Sequence, residues 1–333
     1  MAKRGRKAAT LGAILACSLS IGACGSDAAP LGGSGAGGKG GTLPPPGSGG
    51  SSPILDIPED AAAPSGSLPV PQSFVAADIG GYALGEPTRG EAVHGAGASG
   101  ADAGTGCDVL VAIVRDFKGI NEDDGHPDFE AFDGKGPTTG LVASSLGEDR
   151  KPVYASHCEA TPDKSLCPSG QMTTSKADFD EWYRFTDGVN RPYVLYLKFE
   201  ANDGVYTFAS KAFFPLDGAS WGNSPHKSHH NFGFTTELHT RFRYGGGERF
   251  TFTGDDDLWV FVNGKLAIDL GGLHASESQA LDLDAKAGDL GITAGETYDL
   301  ELFHAERHSA SSNFRVDTTL SFTNCGTIVP EIR

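Results

Sequence analysis

The chain has 333 residues, with 43 acidic against 26 basic side chains, a formal net charge of −17 and 47 glycines. That charge argues against nucleic acid as a partner and suits a cation, a neutral sugar-like partner, or simply a soluble extracellular surface. The length allows two average domains, but Gly, Pro and Ser crowd the first hundred residues, which cannot bury a core.

Residues 1–24 read as an export signal. Lys3, Arg4, Arg6 and Lys7 form a basic start, Ala8 to Ile21 an apolar stretch, and Ile21-Gly22-Ala23-Cys24 supplies small residues for cleavage. Ending on Cys24, the pattern resembles a bacterial lipoprotein signal, in which Cys24 becomes the lipidated first residue; an ordinary secretory signal is the alternative. Gly25 after that cysteine points to the outer membrane and an anchored cell-surface location. No second stretch of about 20 apolar residues follows, so no further membrane span is expected.

Residues 25–106 read as a disordered tether, flexible where Gly-rich and stiffer at Pro44-Pro45-Pro46. Ile54-Leu55 and Val70 to Phe74 are its only apolar islands. The folded domain is expected at 107–326, with 327–333 as a tail. Four cysteines remain in the exported chain, Cys107, Cys158, Cys167 and Cys325, and allow three disulfide connectivities. Cys107 with Cys325 and Cys158 with Cys167 is the preferred set, the first closing the two ends of the domain and the second one local loop.

Val109 to Val114 is an unbroken apolar run, as expected of a strand buried on both faces. A Gly- and Asp-rich loop region follows. Ser175 to Phe185 is the one expected helix, with Ser175 and Asp178 spaced as a capping box and Phe179, Trp182 and Tyr183 on one face. Beyond Val189 the period becomes two. Strands are expected at 193–199, 205–209, 238–244, 250–253, 258–262, 266–268, 298–303 and 314–322. Asn263-Gly264 marks a tight type I′ hairpin between the fifth and sixth. The fold class is therefore all-β, an antiparallel sandwich or barrel of jelly-roll type with one short helix.

Three carboxylates in a row, Asp255, Asp256 and Asp257, stand at the mouth of this sheet. Their mutual repulsion invites a hard cation with oxygen ligands, and the competing reading is a turn whose aspartates cap exposed amides. His274 and Arg307 are expected on the same rim or bracing its loops. Trp221, in a Gly- and Ser-rich loop, is the aromatic best placed to stack on a sugar, whereas Trp259 belongs to a strand interior. His226, His229 and His230, and separately His304 and His308, are spaced poorly for zinc on strands or beside Pro225. The sequence contains no His-Glu-x-x-His.

Several blocks, taken together and in order, carry a resemblance. They are His126-Pro127-Asp128-Phe129-Glu130, Trp182-Tyr183 to Val189-Asn190, Phe213-Phe214-Pro215-Leu216-Asp217-Gly218, His230 to Thr235, Gly254 to His274, and Phe303 to His308 through Ser312-Asn313-Phe314. They resemble the fibro-slime domain, which is more distantly similar to the protective-antigen-type β-barrel module of flocculin adhesins, glycosidases and toxins. The resemblance implies an extracellular module for adhesion that binds glycans or extracellular matrix. In the flocculin branch two adjacent aspartates hold calcium, and matching Asn263-Gly264-Lys265 to that module's turn brings Asp255 and Asp256 onto the pair. Asn313 is then the counterpart of its asparagine ligand, with Asp257, His274, Arg307 and Trp221 as expected ligand-binding neighbours. A structural slime protein without sugar binding, or a polysaccharide-acting enzyme, are the alternatives.

Overall fold

The strand Asp257–Val262 is buried along its whole length, and its alternation explains the architecture. Leu258, Val260 and Val262 point into one apolar cluster while Trp259 and Phe261 point into another. A strand that is apolar on both faces needs a layer on each side. In the computed structural model, which describes residues 70–93, 107–155, 170–225, 229–308 and 311–329, that strand belongs to a nine-stranded sheet. The chain partitions into Met1–Ala61 and Ala62–Arg333, and every described residue lies in the second unit.

In chain order the strands are β1 (Val75–Ala76), β2 (Gly81–Pro87), β3 (Glu91–Val93), β4 (Val109–Phe117), β5 (Asn190–Lys198), β6 (Glu200–Asn202), β7 (Val205–Ser210), β8 (Phe234–Arg243), β9 (Arg249–Gly254), β10 (Asp257–Val262), β11 (Lys265–Leu270), β12 (Glu277–Asp282), β13 (Thr297–Glu306), β14 (Phe314–Thr318), β15 (Ser321–Asn324) and β16 (Thr327–Val329). The large sheet runs β1-β2-β5-β4-β8-β13-β10-β11, with β15 also on β8, and the second sheet runs β12-β9-β14-β7-β6. All strand pairings are antiparallel. Phe208, Phe252, Phe314 and Val316 from the smaller sheet meet Leu238, Leu258, Val260 and Leu302 from the larger one, so the main core is the sandwich interior. The outer face of the large sheet is covered by the expected loop region, which supplies Phe129, Leu141, Met172, Phe179, Trp182 and Tyr183 against Trp259, Phe261 and Phe303.

The all-β fold is as expected, with corrections in detail. Two helices are described, not one: α1 (Lys176–Asp180) and α2 (Leu283–Leu290). In α1 Ser175 caps Asp178 N–H as foreseen, but the helix ends after five residues. The Asn190 amide takes the Glu181 and Arg184 carbonyls, at 3.0 and 2.8 Å, and turns the chain toward β5. Helix α2 starts on an Asp282 cap and stops at Gly291, whose φ of 69° suits a left-handed C-terminal residue.

The expected 314–322 strand is two strands, because the chain leaves the small sheet at Thr318 and joins β8 in the large one at Ser321. The expected tether holds β1, β2 and β3, with β2 paired to β5, and the expected tail contributes β16, paired to β3. Cys107 and Cys325 are joined, across 218 residues of sequence. Cys24, Cys158 and Cys167 lie outside the described residues. Asn263 and Gly264 have φ of 53° and 70°, the signature expected of the β10–β11 turn.

Candidate functional site

Strands β9 and β10 are not a hairpin; they belong to different sheets. Asp255 and Asp256 are the crossover between them, which explains why three acidic residues can be gathered there. Asp256 adopts φ 56°, a left-handed conformation that a short polar side chain tolerates. The ladder between β9 and β14 pairs Gly254 with Phe314, and the Asp255 N–H donates to the Asn313 carbonyl at 3.2 Å. Residues 58 apart in sequence thus share one lip of the sandwich.

There the Asn313 Nδ2 donates to both Asp255 carboxylate oxygens, at 2.8 and 2.9 Å, and the Ser311 hydroxyl donates to Oδ2 at 2.5 Å. Asp256 Oδ2 accepts from the Arg307 N–H at 2.9 Å. Both aspartates are only 3–4% exposed, yet both line a cleft of about 270 Å³ together with Asp133, His274, His308 and Ser311. Behind Asp256 lies the buried Glu306 carboxyl. Burial, then the Asp256 charge, pushes Glu306 well above the usual carboxyl range, and burial pushes Asp256 up to about 6.

Asp257 is not part of that rim. It is fully buried, accepts the Gly272 N–H at 2.6 Å on Oδ1, and pairs with Arg307 Nε at 2.7 Å on Oδ2. Arg307 is equally buried. Its Nη1 donates to the Asp128 and Met172 carbonyls, at 3.1 and 2.9 Å, and its guanidinium lies 4.4 Å over the Trp182 ring. Burial opposes the Arg307 charge, but the Asp257 carboxylate outweighs it and raises the guanidinium pKa further. The expectation that Asp257 and Arg307 contact a ligand is corrected: no solvent-side ligand reaches either, and the pair braces the crossover from beneath. Asp128, of the His126-Pro127-Asp128-Phe129 block, completes this brace by accepting from Trp182 Nε1 at 3.1 Å and Thr174 N–H at 2.6 Å.

His274 does line the cleft, but its Nδ1 faces the Ala275 carbonyl at 2.9 Å and its Nε2 the Leu270 carbonyl at 3.1 Å, so its ring atoms are used in holding the loop. Trp221 lies elsewhere, in a larger cleft of about 720 Å³ with Phe185, Arg191 and Tyr193. His304 is buried among Phe213, Phe234, Phe252 and Phe314, and burial lowers its pKa to about 3. His308 instead sits beside Asp133 at the cleft, which separates the two histidines. His226 lies outside the described residues.

Sequence reasoning missed one cluster, His126, Asp178 and Glu181, whose ligand atoms lie within 4.8 Å of one another. His126 Nδ1 accepts the Asp128 N–H at 3.1 Å, which leaves the ring proton on Nε2, facing the Asp178 carbonyl at 3.3 Å and Glu181 at 3.5 Å. That tautomer makes hydrogen bonds and offers no lone pair to a metal. The motif that contains His126 was visible; its partners on α1 were not.

The donor set at the lip fits a hard divalent cation. Two carboxylates line one cleft, with the Asn313 amide bonded to one of them, and turning that amide over would present its oxygen where its nitrogen now stands.

A family model described as the PA14 domain matches residues 215–332, which include β9, the Asp255–Asp256 crossover and Asn313. Among curated proteins the chain is 39% identical over 197 residues to protein psiD of Dictyostelium discoideum, covering 56% of this chain and 37% of psiD. It is 37% identical over 210 residues to psiC of the same organism, covering 60% and 39%. The chain thus spans less than two-fifths of either relative. Among solved structures, a PA14 sugar-binding domain from an RTX adhesin superposes with a TM-score of 0.23 at 12% identity, over 31% of this chain and 56% of that one. Epithelial adhesin 6 A domain from Candida glabrata gives 0.19 at 13%, over 59% and 84%. Neither superposition is close enough to carry an argument.

Proposed function

We propose that this chain is an exported, lipid-anchored surface protein whose sandwich domain binds carbohydrate for adhesion. Calcium would be held by Asp255, Asp256 and the Asn313 amide oxygen. The carrying observation is that Asp255 and Asp256 line one cleft while the Asn313 amide bonds the Asp255 carboxylate at 2.8 and 2.9 Å. The PA14 match over the same residues supports the reading, as does the resemblance of the motif blocks to the fibro-slime domain. When bound, the ion would supply charge to the two carboxylates and open coordination positions for sugar hydroxyls.

The protein's own residues do the rest. Arg307 and Asp257 hold the crossover in place, and His274 and Ser311 fix the cleft's two sides. Anchoring through Cys24 at the outer membrane belongs to the same proposal.

The test is a thermal melt with millimolar calcium and with chelator, followed by a glycan array under both conditions. Calcium should raise the melting temperature, and Asp255→Asn with Asp256→Asn should abolish the rise. An unchanged melt overturns calcium binding. A calcium-raised melt with no glycan signal leaves an ion that braces loops and makes this a structural matrix protein instead.

A further inference from the structure

A cleft larger than the aspartate one lies away from the aspartates. Asp257 pairs with Ala305, Ala305 with Thr235, Thr235 with Arg115, and Arg115 with Pro192. Pro192 therefore stands four strands from Asp257 along one line across the large sheet, about 19 Å at the usual interstrand spacing. Around it opens a cleft of about 720 Å³, within the size range of small-ligand sites.

Its walls combine aromatic rings with guanidinium groups. Arg191 lies 4.4 Å from the Trp221 ring, with Lys118 at 5.5 Å from the same ring, and Arg89 lies 5.0 Å from Phe185. Tyr193 completes the aromatic lining. Among the described residues no carboxylate stands within 4 Å of the Arg191 guanidinium, and Arg89 has only the solvent-exposed Asp187 at 3.9 Å. In a chain of net charge −17, an exposed arginine stacked on tryptophan with no carboxylate within 4 Å is a departure from the surface around it, though Asp187 also lines the cleft. The Trp221 backbone N–H donates to the buried Asp116 at 3.1 Å. Phe185 also lines a second cleft of about 360 Å³.

We propose that this cleft is a second glycan subsite, selective for a carboxylate-bearing sugar such as a uronate of an acidic polysaccharide. The proposal rests on the carbohydrate-binding reading above but not on its calcium. The Arg191 and Arg89 guanidiniums take the sugar carboxylate, a planar anion that matches their forked donors. Tyr193 and Phe185 supply apolar faces for the ring.

The test is calorimetric titration of the full chain with tetragalacturonate, a neutral tetrasaccharide and a sulfated tetrasaccharide, all in chelator so that the aspartate cleft takes no part. Tetragalacturonate should bind and weaken as salt rises. Arg191→Ala should weaken it at least about tenfold, the loss expected of one charge-assisted contact, while melting like the parent because Arg191 is exposed. Arg191→Lys should fall between the two. The proposal is overturned by absence of tetragalacturonate binding at millimolar concentration, by equal binding of the neutral or the sulfated tetrasaccharide, or by Arg191→Ala binding like the parent. Because no arm contains calcium, failure of the calcium site would leave each of these results readable.

Discussion

Replacing Arg307 with Ala tests the brace beneath the crossover. The side chain is fully buried, pairs with an equally buried Asp257 at 2.7 Å, satisfies the Asp128 and Met172 carbonyls, and covers Trp182. Its removal leaves the Asp257 charge in the interior with only the Gly272 N–H as a partner. Breaking a buried pair from one side costs roughly 3–5 kcal/mol, a large share of the roughly 5–15 kcal/mol that keeps a domain folded. In a domain of this size that lowers the melting temperature on the order of 10 °C. Urea denaturation followed by tryptophan fluorescence suits the measurement, since Trp182 and Trp259 are both fully buried close to the change. Adding Asp257→Asn to Arg307→Ala should recover part of the loss, because the stranded charge is then gone. A drop of less than about 2 °C, or a double variant no more stable than the single one, would refute the idea that a buried ion pair supports the site.

Two further outcomes are expected. A Cβ on Gly254 would stand 2.5 Å from the Asn313 carbonyl, so Gly254→Ala should push β9 and β14 apart at the lip; calcium should then raise the melting temperature less than in the parent, and an unchanged calcium response would show that Asn313 is not needed there. Burial raises the Asp116 carboxyl to about 6, so its native pKa lies above its unfolded value of 3.8. Between about pH 4 and 6 the folded chain keeps a proton that the unfolded chain has lost, and stability falls as pH rises through that window, by about 3 kcal/mol for this group. Asp116→Asn should remove that share of the slope in a pH series of denaturation curves, and a slope identical to the parent's would refute the assignment.

The period-two segments beyond Val189 announced most of the strands because alternation survives where only one face of a strand meets the apolar core, as in β8 and β14. The Asn263-Gly264 turn was equally legible, since positive φ at two successive positions is a local demand that few residue pairs meet. Helix α2 was signalled by Asp282 and Gly291 at its ends yet masked by Gly288 in its middle. Strand β2 lay hidden in a Gly-rich stretch because its partner, β5, is more than a hundred residues away.

Local sequence thus determined the all-β class, the run of three aspartates and the aromatic faces of the core, each a matter of neighbours within a few residues. Tertiary structure decided which aspartates face outward. Residues Asp255 and Asp256 meet a cleft because the chain changes sheets there, while Asp257, one position later, enters β10 and is neutralised by Arg307. The same long-range pairing set Trp221 beside Arg191 rather than beside the aspartates. Side-chain chemistry is written residue by residue, but burial and partnership depend on contacts between segments that the chain order keeps far apart.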